Sequence, residues 1–164
     1  MYLFRVGLIA AAAAFLPHAA AAEPVKPLEF FEGRTESIGT IKVVLKKAFK
    51  SRSIGTGKIE ADGTLTLIQR VEDEGKPPRE RRWKIRQTGP KRFVGAMSEA
   101  SGPVAIEEID GSYRFRFKMK GNLSVEQWVT PNPGGKTAKN TMTIKKLGMT
   151  VGTGIGTIRK LGGD

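Results

Sequence analysis

From Arg34 to Lys160 apolar and polar residues alternate with a period of two, broken every dozen residues or so by glycine, proline or Asp-Gly. The segments Ile41-Lys42-Val43-Val44-Leu45, Thr64-Leu65-Thr66-Leu67-Ile68, Arg82-Trp83-Lys84-Ile85-Arg86 and Leu123 to Val129 are rich in β-branched and aromatic residues. Such residues suit a pleated, half-buried surface. Between residues 34 and 160 no run carries the 3.6-residue apolar stripe of an amphipathic helix. The pattern predicts nine or ten strands, near 34–46, 48–59, 64–72, 79–88, 91–98, 102–109, 112–120, 123–130, 138–146 and 149–160.

The breaks have mechanisms. Asp62-Gly63 and Asp110-Gly111 each separate two strand-like runs, and glycine there supplies the positive φ of a tight hairpin. Residues 72–78 and 131–135 hold prolines that cannot donate to a ladder, so they predict longer hairpin loops. Short strands at such spacing predict a sandwich or barrel. Sequential hairpins favour an up-and-down meander, and closing it removes exposed edges. The predicted fold is therefore an all-β, lipocalin-like up-and-down antiparallel barrel over residues 34–164. Residues 23–33, with Pro24 and Pro27, predict an extended lead whose Phe30 and Phe31 plug one end.

The first 22 residues follow another pattern. Arg5 precedes an apolar run from Val6 to Leu16, and small residues end at Ala20-Ala21-Ala22 before Glu23. That is the layout of a cleavable signal peptide, and Pro17 and His18 interrupt the run before it could span a bilayer. The expectation is export, to the periplasm or beyond the cell, with no transmembrane segment in the mature chain.

Composition then narrows the chemistry. The only histidine, His18, leaves with the signal, and the chain has no cysteine. Thiolate and imidazole ligands are thus missing from the mature protein, which argues against zinc, copper, haem and Cys- or His-based nucleophiles. A lipoprotein anchor would also need a cysteine. No metal and no cofactor is expected. The formal charge of +12 falls by one when Arg5 is removed, and the remaining excess predicts attraction to anionic envelope components or an anionic membrane surface.

Several short stretches recur in order in one family: Phe30-Phe31-Glu32-Gly33-Arg34, Asp62 to Leu67, Arg82-Trp83-Lys84-Ile85, Glu126-Gln127-Trp128, Asn140-Thr141-Met142 and Lys146-Leu147-Gly148. On these the chain resembles the bacterial envelope family catalogued as domain of unknown function 3833. The resemblance spans nearly all of the mature chain and implies a lipocalin-like fold in the cell envelope. It implies no catalytic residues. The chain departs from the family in lacking a lipoprotein cysteine and in carrying Glu126-Gln127 where the family tends to have two aspartates.

Motifs associated with catalysis fail on context. Gly134-Gly135-Lys136-Thr137 lacks the earlier glycine of a phosphate loop, since Thr130 stands there, and no helix follows. Gly152-Thr153-Gly154-Ile155-Gly156 has no helix or distant acidic residue after it, so it is read as small strand residues that permit a bend or close backbone approach. Glu107 and Glu108 are adjacent on one strand and point to opposite faces. Glu126, two residues before Trp128, is the best single carboxylate, and a salt bridge is its simplest role. No catalytic residue is assigned and no enzyme activity is expected.

What remains is a division between faces. On a strand, Arg82, Lys84 and Arg86 oppose Trp83 and Ile85, while Arg114, Arg116, Lys118 and Lys120 oppose Tyr113, Phe115, Phe117 and Met119. A small barrel turns its apolar face inward. Phe30, Phe31, Trp83, Tyr113, Phe115, Phe117 and Trp128 are therefore the ligand-lining candidates, and Arg82, Lys84, Arg86, Arg114, Arg116 and Lys118 the anion-surface candidates. Alternation separates these aromatics from the cations, which argues against a single-stranded nucleic-acid platform, and no nucleic acid is expected. The sequence thus points to a binding protein for an apolar or amphipathic, lipid-derived small molecule. Its alternative is an envelope structural or interaction protein whose barrel is filled by side chains.

Overall fold

A computed structural model describes residues 27–162. The expected signal peptide, its boundary at Ala22 and Pro24 lie outside the described residues. One helical turn, α1 (Pro27–Phe30), leads into ten strands: β1 (Gly33–Val43), β2 (Phe49–Ile59), β3 (Leu65–Asp73), β4 (Arg79–Gly89), β5 (Arg92–Met97), β6 (Val104–Ile109), β7 (Ser112–Met119), β8 (Leu123–Pro131), β9 (Thr137–Lys146) and β10 (Met149–Lys160). Each strand pairs antiparallel with its neighbours in sequence, and β1 pairs with β10 from Thr35↔Lys160 to Val43↔Gly152. The meander closes into a barrel, the fold class expected from the sequential hairpins. The first strand stops short of the predicted residue 46 because Leu45 takes φ 62°, outside strand geometry.

Alternation sorts the side chains. Leu65, Leu67 and Val71 of β3, Trp83 and Ile85 of β4, Phe93 and Met97 of β5, and Val104 and Ile106 of β6 point inward and are buried. Tyr113, Phe115 and Phe117 of β7 join Val125, Val129, Ala138 and Ile158 to complete the core. Trp83 is its hub: its ring lies edge-on to Phe115 and to Phe117, each with centroids 6.2 Å apart. Edge-to-face geometry sets the positive rim of one ring against the negative face of the other.

Residues 27–30 are not the extended lead that the prolines predict. The Phe31 N–H donates to the Leu28 carbonyl at 3.1 Å and that of Glu32 to the Glu29 carbonyl at 3.2 Å, closing a helical turn. Proline is tolerated there because the first helical position has no internal acceptor for an N–H. The turn lies across the end of the barrel where β1 begins. Phe30 is 1% exposed, and Lys160 Nζ donates to the Glu29 carbonyl at 2.9 Å. Gly57 is the seat of the turn: a Cβ added there would lie 1.9 Å from the Phe31 carbonyl oxygen.

The β1–β10 seam is held on both faces. Gly39 and Gly156 are direct partners, and a Cβ on Gly156 would lie 2.4 Å from the Ile38 carbonyl oxygen, the close backbone approach expected of the Gly152–Gly156 run. On the outer face Glu36 accepts from Arg52 Nε at 2.8 Å and from Arg159 Nε at 2.6 Å. Those two guanidiniums, Arg52 foremost, hold its carboxyl below the usual range. The side chain thereby links β2, β1 and β10.

Candidate binding cavity

A cavity of about 130 Å³ remains inside the barrel. It exists because the inward positions of three neighbouring strands are small: Ser37 and Gly39 on β1, Ser51 and Ser53 on β2, Gly154 and Gly156 on β10. Large side chains stand opposite. Trp83, Phe115, Leu67, Met142 and Phe31 supply apolar wall, and Gln69, Gln127, Asn140 and Arg81 supply polar groups. The volume is below the roughly 300–1,000 Å³ of drug-sized pockets. It is larger than the few small voids of a solid core.

The polar groups are oriented by one another. Trp83 Nε1 donates to Gln69 Oε1 at 2.9 Å, so the Gln69 amide keeps both of its N–H donors for other partners. Gln127 Nε2 donates to Asn140 Oδ1 at 2.8 Å, which fixes both amides and leaves the Asn140 NH₂ as a donor and Gln127 Oε1 as an acceptor. The cavity thus pairs an aromatic wall with amide and hydroxyl groups.

Arg81 is not a free cation. Its Nε donates to Glu99 Oε2 at 2.6 Å, while Arg79 bridges Glu99 at 2.5 Å and Asp73 at 2.7 Å. Burial pushes the Asp73 carboxyl up, but Ser51, directly opposite on β2, and Arg79 outweigh it and hold the group below its ordinary value. Asp73 Oδ1 nonetheless has no partner at hydrogen-bonding geometry. Glu99 is likewise raised by burial and brought below its ordinary value by Arg81 and Arg79. Carboxyls lowered on folding stabilise the protein above their unfolded pKa, about 4, and lose that contribution as pH falls through the lower folded values. The melting temperature is expected to fall steeply below about pH 4, and less steeply in Asp73→Asn, which has one such carboxyl fewer. An equal acid slope in both would rule out Asp73 as a source.

Of the predicted lining residues, Phe31, Trp83 and Phe115 face the cavity. Phe30 is buried under the plug, and Tyr113 and Phe117 belong to the solid part of the core. Burial pushes the Tyr113 phenol up to about 12, with Glu108 adding to the shift. Trp128 corrects the prediction. On β8 the inward parity belongs to Val125, Gln127 and Val129, so Trp128 lies on the outer wall. There Arg114 sits 5.7 Å from its ring and its Nε1 donates to Glu126 Oε1 at 3.0 Å. An indole with a cation on its face and a carboxylate at its edge is satisfied outside the core.

The predicted cations do lie on the outer wall, yet three are neutralised where they stand: Arg82 pairs with Glu80 at 2.6 Å, and Arg114 and Arg116 share Glu107 at 2.5 and 3.3 Å. Lys118 keeps its charge, its Nζ donating to Ser124 Oγ at 2.6 Å. Lys84 and Arg86 are exposed. Alternation alone does not reveal Thr35, Ser37, Ser51, Ser53, Gln69, Gln127 and Asn140 as cavity residues. The available signal is the run of small inward residues on β1, β2 and β10, legible once their strand pairing is known.

Fold and cavity together define a lipocalin-like up-and-down barrel. By sequence, no family model and no curated protein matches the chain. By shape, the chain is similar to the S-type phycobiliprotein lyase CPES from Guillardia theta, with a TM-score of 0.66 and 9% identity over 84% of this chain and 92% of that one. Among the described residues no helix is long and apolar enough to cross a membrane, a statement that does not bear on strands.

Proposed function

We propose that this is an exported lipocalin-like binding protein that seats a small amphipathic molecule in the barrel. The observation that carries the reading is a cavity walled by Trp83, Phe115 and Leu67 in which Gln69, Gln127 and Asn140 are held in fixed orientations. Its size suits a ring or a short terminal group of the ligand, not a whole acyl chain. The apolar part would lie against Trp83, and an acceptor group would face the Gln69 and Asn140 amides. The likeness in shape to a phycobiliprotein lyase supports a binding role for the interior.

Native extraction tests this directly. Mature protein purified from its own envelope is expected to carry one recurring compound, identified by mass spectrometry, that Gly154→Leu fails to retain. Residue 154 suits the purpose because the atoms nearest an added Cβ belong to the Met142 and Ile41 side chains, at 3.2 Å and beyond, and not to backbone. Repeated recovery of nothing from folded protein would overturn the carrier reading.

The small cavity also favours a second reading, a barrel stabilised by its own side chains with its partner outside. In that case Gly154→Leu raises the melting temperature and changes no bound compound. We further propose that residues 1–22 direct export, which intact-mass measurement of the mature chain, expected to begin at Glu23, would check. Among the six stretches that carry the resemblance to the envelope family is Phe30-Phe31-Glu32-Gly33-Arg34, and in this chain that stretch joins plug to barrel. The net positive charge would draw such a protein to anionic envelope surfaces.

A further inference from the structure

Two adjacent hairpins at the end of the barrel opposite α1 have unusual tips. The β1–β2 turn runs Val44-Leu45-Lys46-Lys47, and the β9–β10 turn is Leu147-Gly148 between Lys146 and Met149. Since β1 and β10 are partners, the tips are neighbours, joined by the Val44 N–H donating to the Val151 carbonyl at 2.9 Å. Leu45 is 101% exposed and Leu147 81%, with Val44 and Met149 also more than half exposed. The turns at the α1 end, over residues 60–64, 90–91, 110–111 and 132–136, hold no exposed large apolar residue.

The backbone makes these leucines costly. Leu147-Gly148 has φ values of 49° and 79°, and Asp110-Gly111 has 49° and 76°, so both are two-residue hairpin turns with left-handed conformation at each position. Asp and Asn tolerate that region because their short polar side chains bond locally, whereas a large apolar residue there is a steric outlier. Leu45, at φ 62°, repeats the choice. A strained, solvent-exposed leucine gains nothing from the fold of one molecule, so its return must come from a partner.

Charge identifies the partner. Lys42, Lys46, Lys47, Lys145 and Lys146 surround the two tips and are exposed, and residues 42–47 and 145–149 include no carboxylate. None of these lysines forms an ion pair among the described residues, unlike Arg82, Arg114 and Arg116 on the wall. The next tip, Glu74-Gly75-Lys76, carries one charge of each sign. Apolar residues ringed by unpaired cations match the acyl boundary and anionic headgroups of a phospholipid bilayer. We propose that the β1–β2 and β9–β10 tips dock on an anionic phospholipid membrane, with Leu45 and Leu147 entering the interface and the lysines holding the headgroups. The inference deepens the attraction to anionic surfaces proposed above and is independent of the cavity's ligand.

Co-sedimentation with phosphatidylglycerol–phosphatidylcholine vesicles tests it. The double variant Leu45→Asn, Leu147→Asn keeps every charge and places a tolerated residue at each left-handed position, so it is expected to melt no lower than the parent while its partition coefficient falls at least about tenfold. Lys46→Gln, Lys47→Gln, Lys145→Gln and Lys146→Gln together should produce a comparable loss. The wall control Arg82→Gln, Lys84→Gln, Arg86→Gln should lose much less. Vesicle binding by the leucine variant equal to the parent's, or an equal loss in the wall control, would overturn docking by the tips while leaving general charge attraction in place. No binding of the parent protein even at low salt would overturn both.

Discussion

Gly57→Ala is expected to unseat α1 from the base of the barrel and lower stability by about 2–4 kcal/mol, the scale of losing one large buried side chain. The obstacle is backbone: the new Cβ would stand 1.9 Å from the Phe31 carbonyl oxygen, and no rotamer change relieves such a contact. The strand cannot retreat, because Gly57 pairs with Gly33 on one side and Leu67 on the other. The turn must therefore lift, taking the fully buried Phe30 with it. Phe30→Ala should cost a similar amount, about 3–5 kcal/mol, and the double variant should fall well short of the sum because both changes remove one docking event. Urea unfolding measures the energies, and limited proteolysis ahead of Gly33 reports the lifted turn. Parental stability in Gly57→Ala would refute this account of the plug.

Trp83→Ala is expected to cost about 3–5 kcal/mol, while Trp128→Ala should cost on the order of 1 kcal/mol. Both are strand tryptophans, yet only Trp83 is the hub of Phe115, Phe117 and the Gln69 hydrogen bond. Its truncation enlarges the cavity and frees Gln69 Oε1. Trp128 gives up a contact with Arg114 and a bond to Glu126 at a face that water reaches. Thermal melts of the two variants should separate clearly, and equal losses would contradict the inside and outside assignments.

The contrast between the tryptophans shows where alternation is a sound guide. Over Arg82–Arg86 of β4 and Tyr113–Met119 of β7 the apolar and charged residues alternate, so the faces of Trp83, Tyr113, Phe115 and Phe117 are legible in sequence. On β8 the run Val125-Glu126-Gln127-Trp128-Val129 is ambiguous, because aromatic character argues for Trp128 inside and the two valines for the other parity. The valines prevail, since a one-residue slip turns every side chain of a strand over and would bury Glu126. Gln127 goes inside in its place, where Asn140 on the paired strand satisfies it.

By itself the sequence determined the strands, the meander and the separation of cations from the apolar face, because each follows from local alternation and from turns that glycine or proline imposes. It also allowed, through the small residues of the Gly152–Gly156 run, a bend or a close backbone approach, which the structure places at the β1–β10 pairing. Tertiary structure alone decided the closure of β1 on β10, the turn at Pro27–Phe30, the cavity and the adjacency of the two leucine tips. These depend on which distant segments become neighbours. A void needs small residues side by side on three strands, and a docking surface needs two hairpins more than a hundred residues apart in sequence to meet at one end of the barrel.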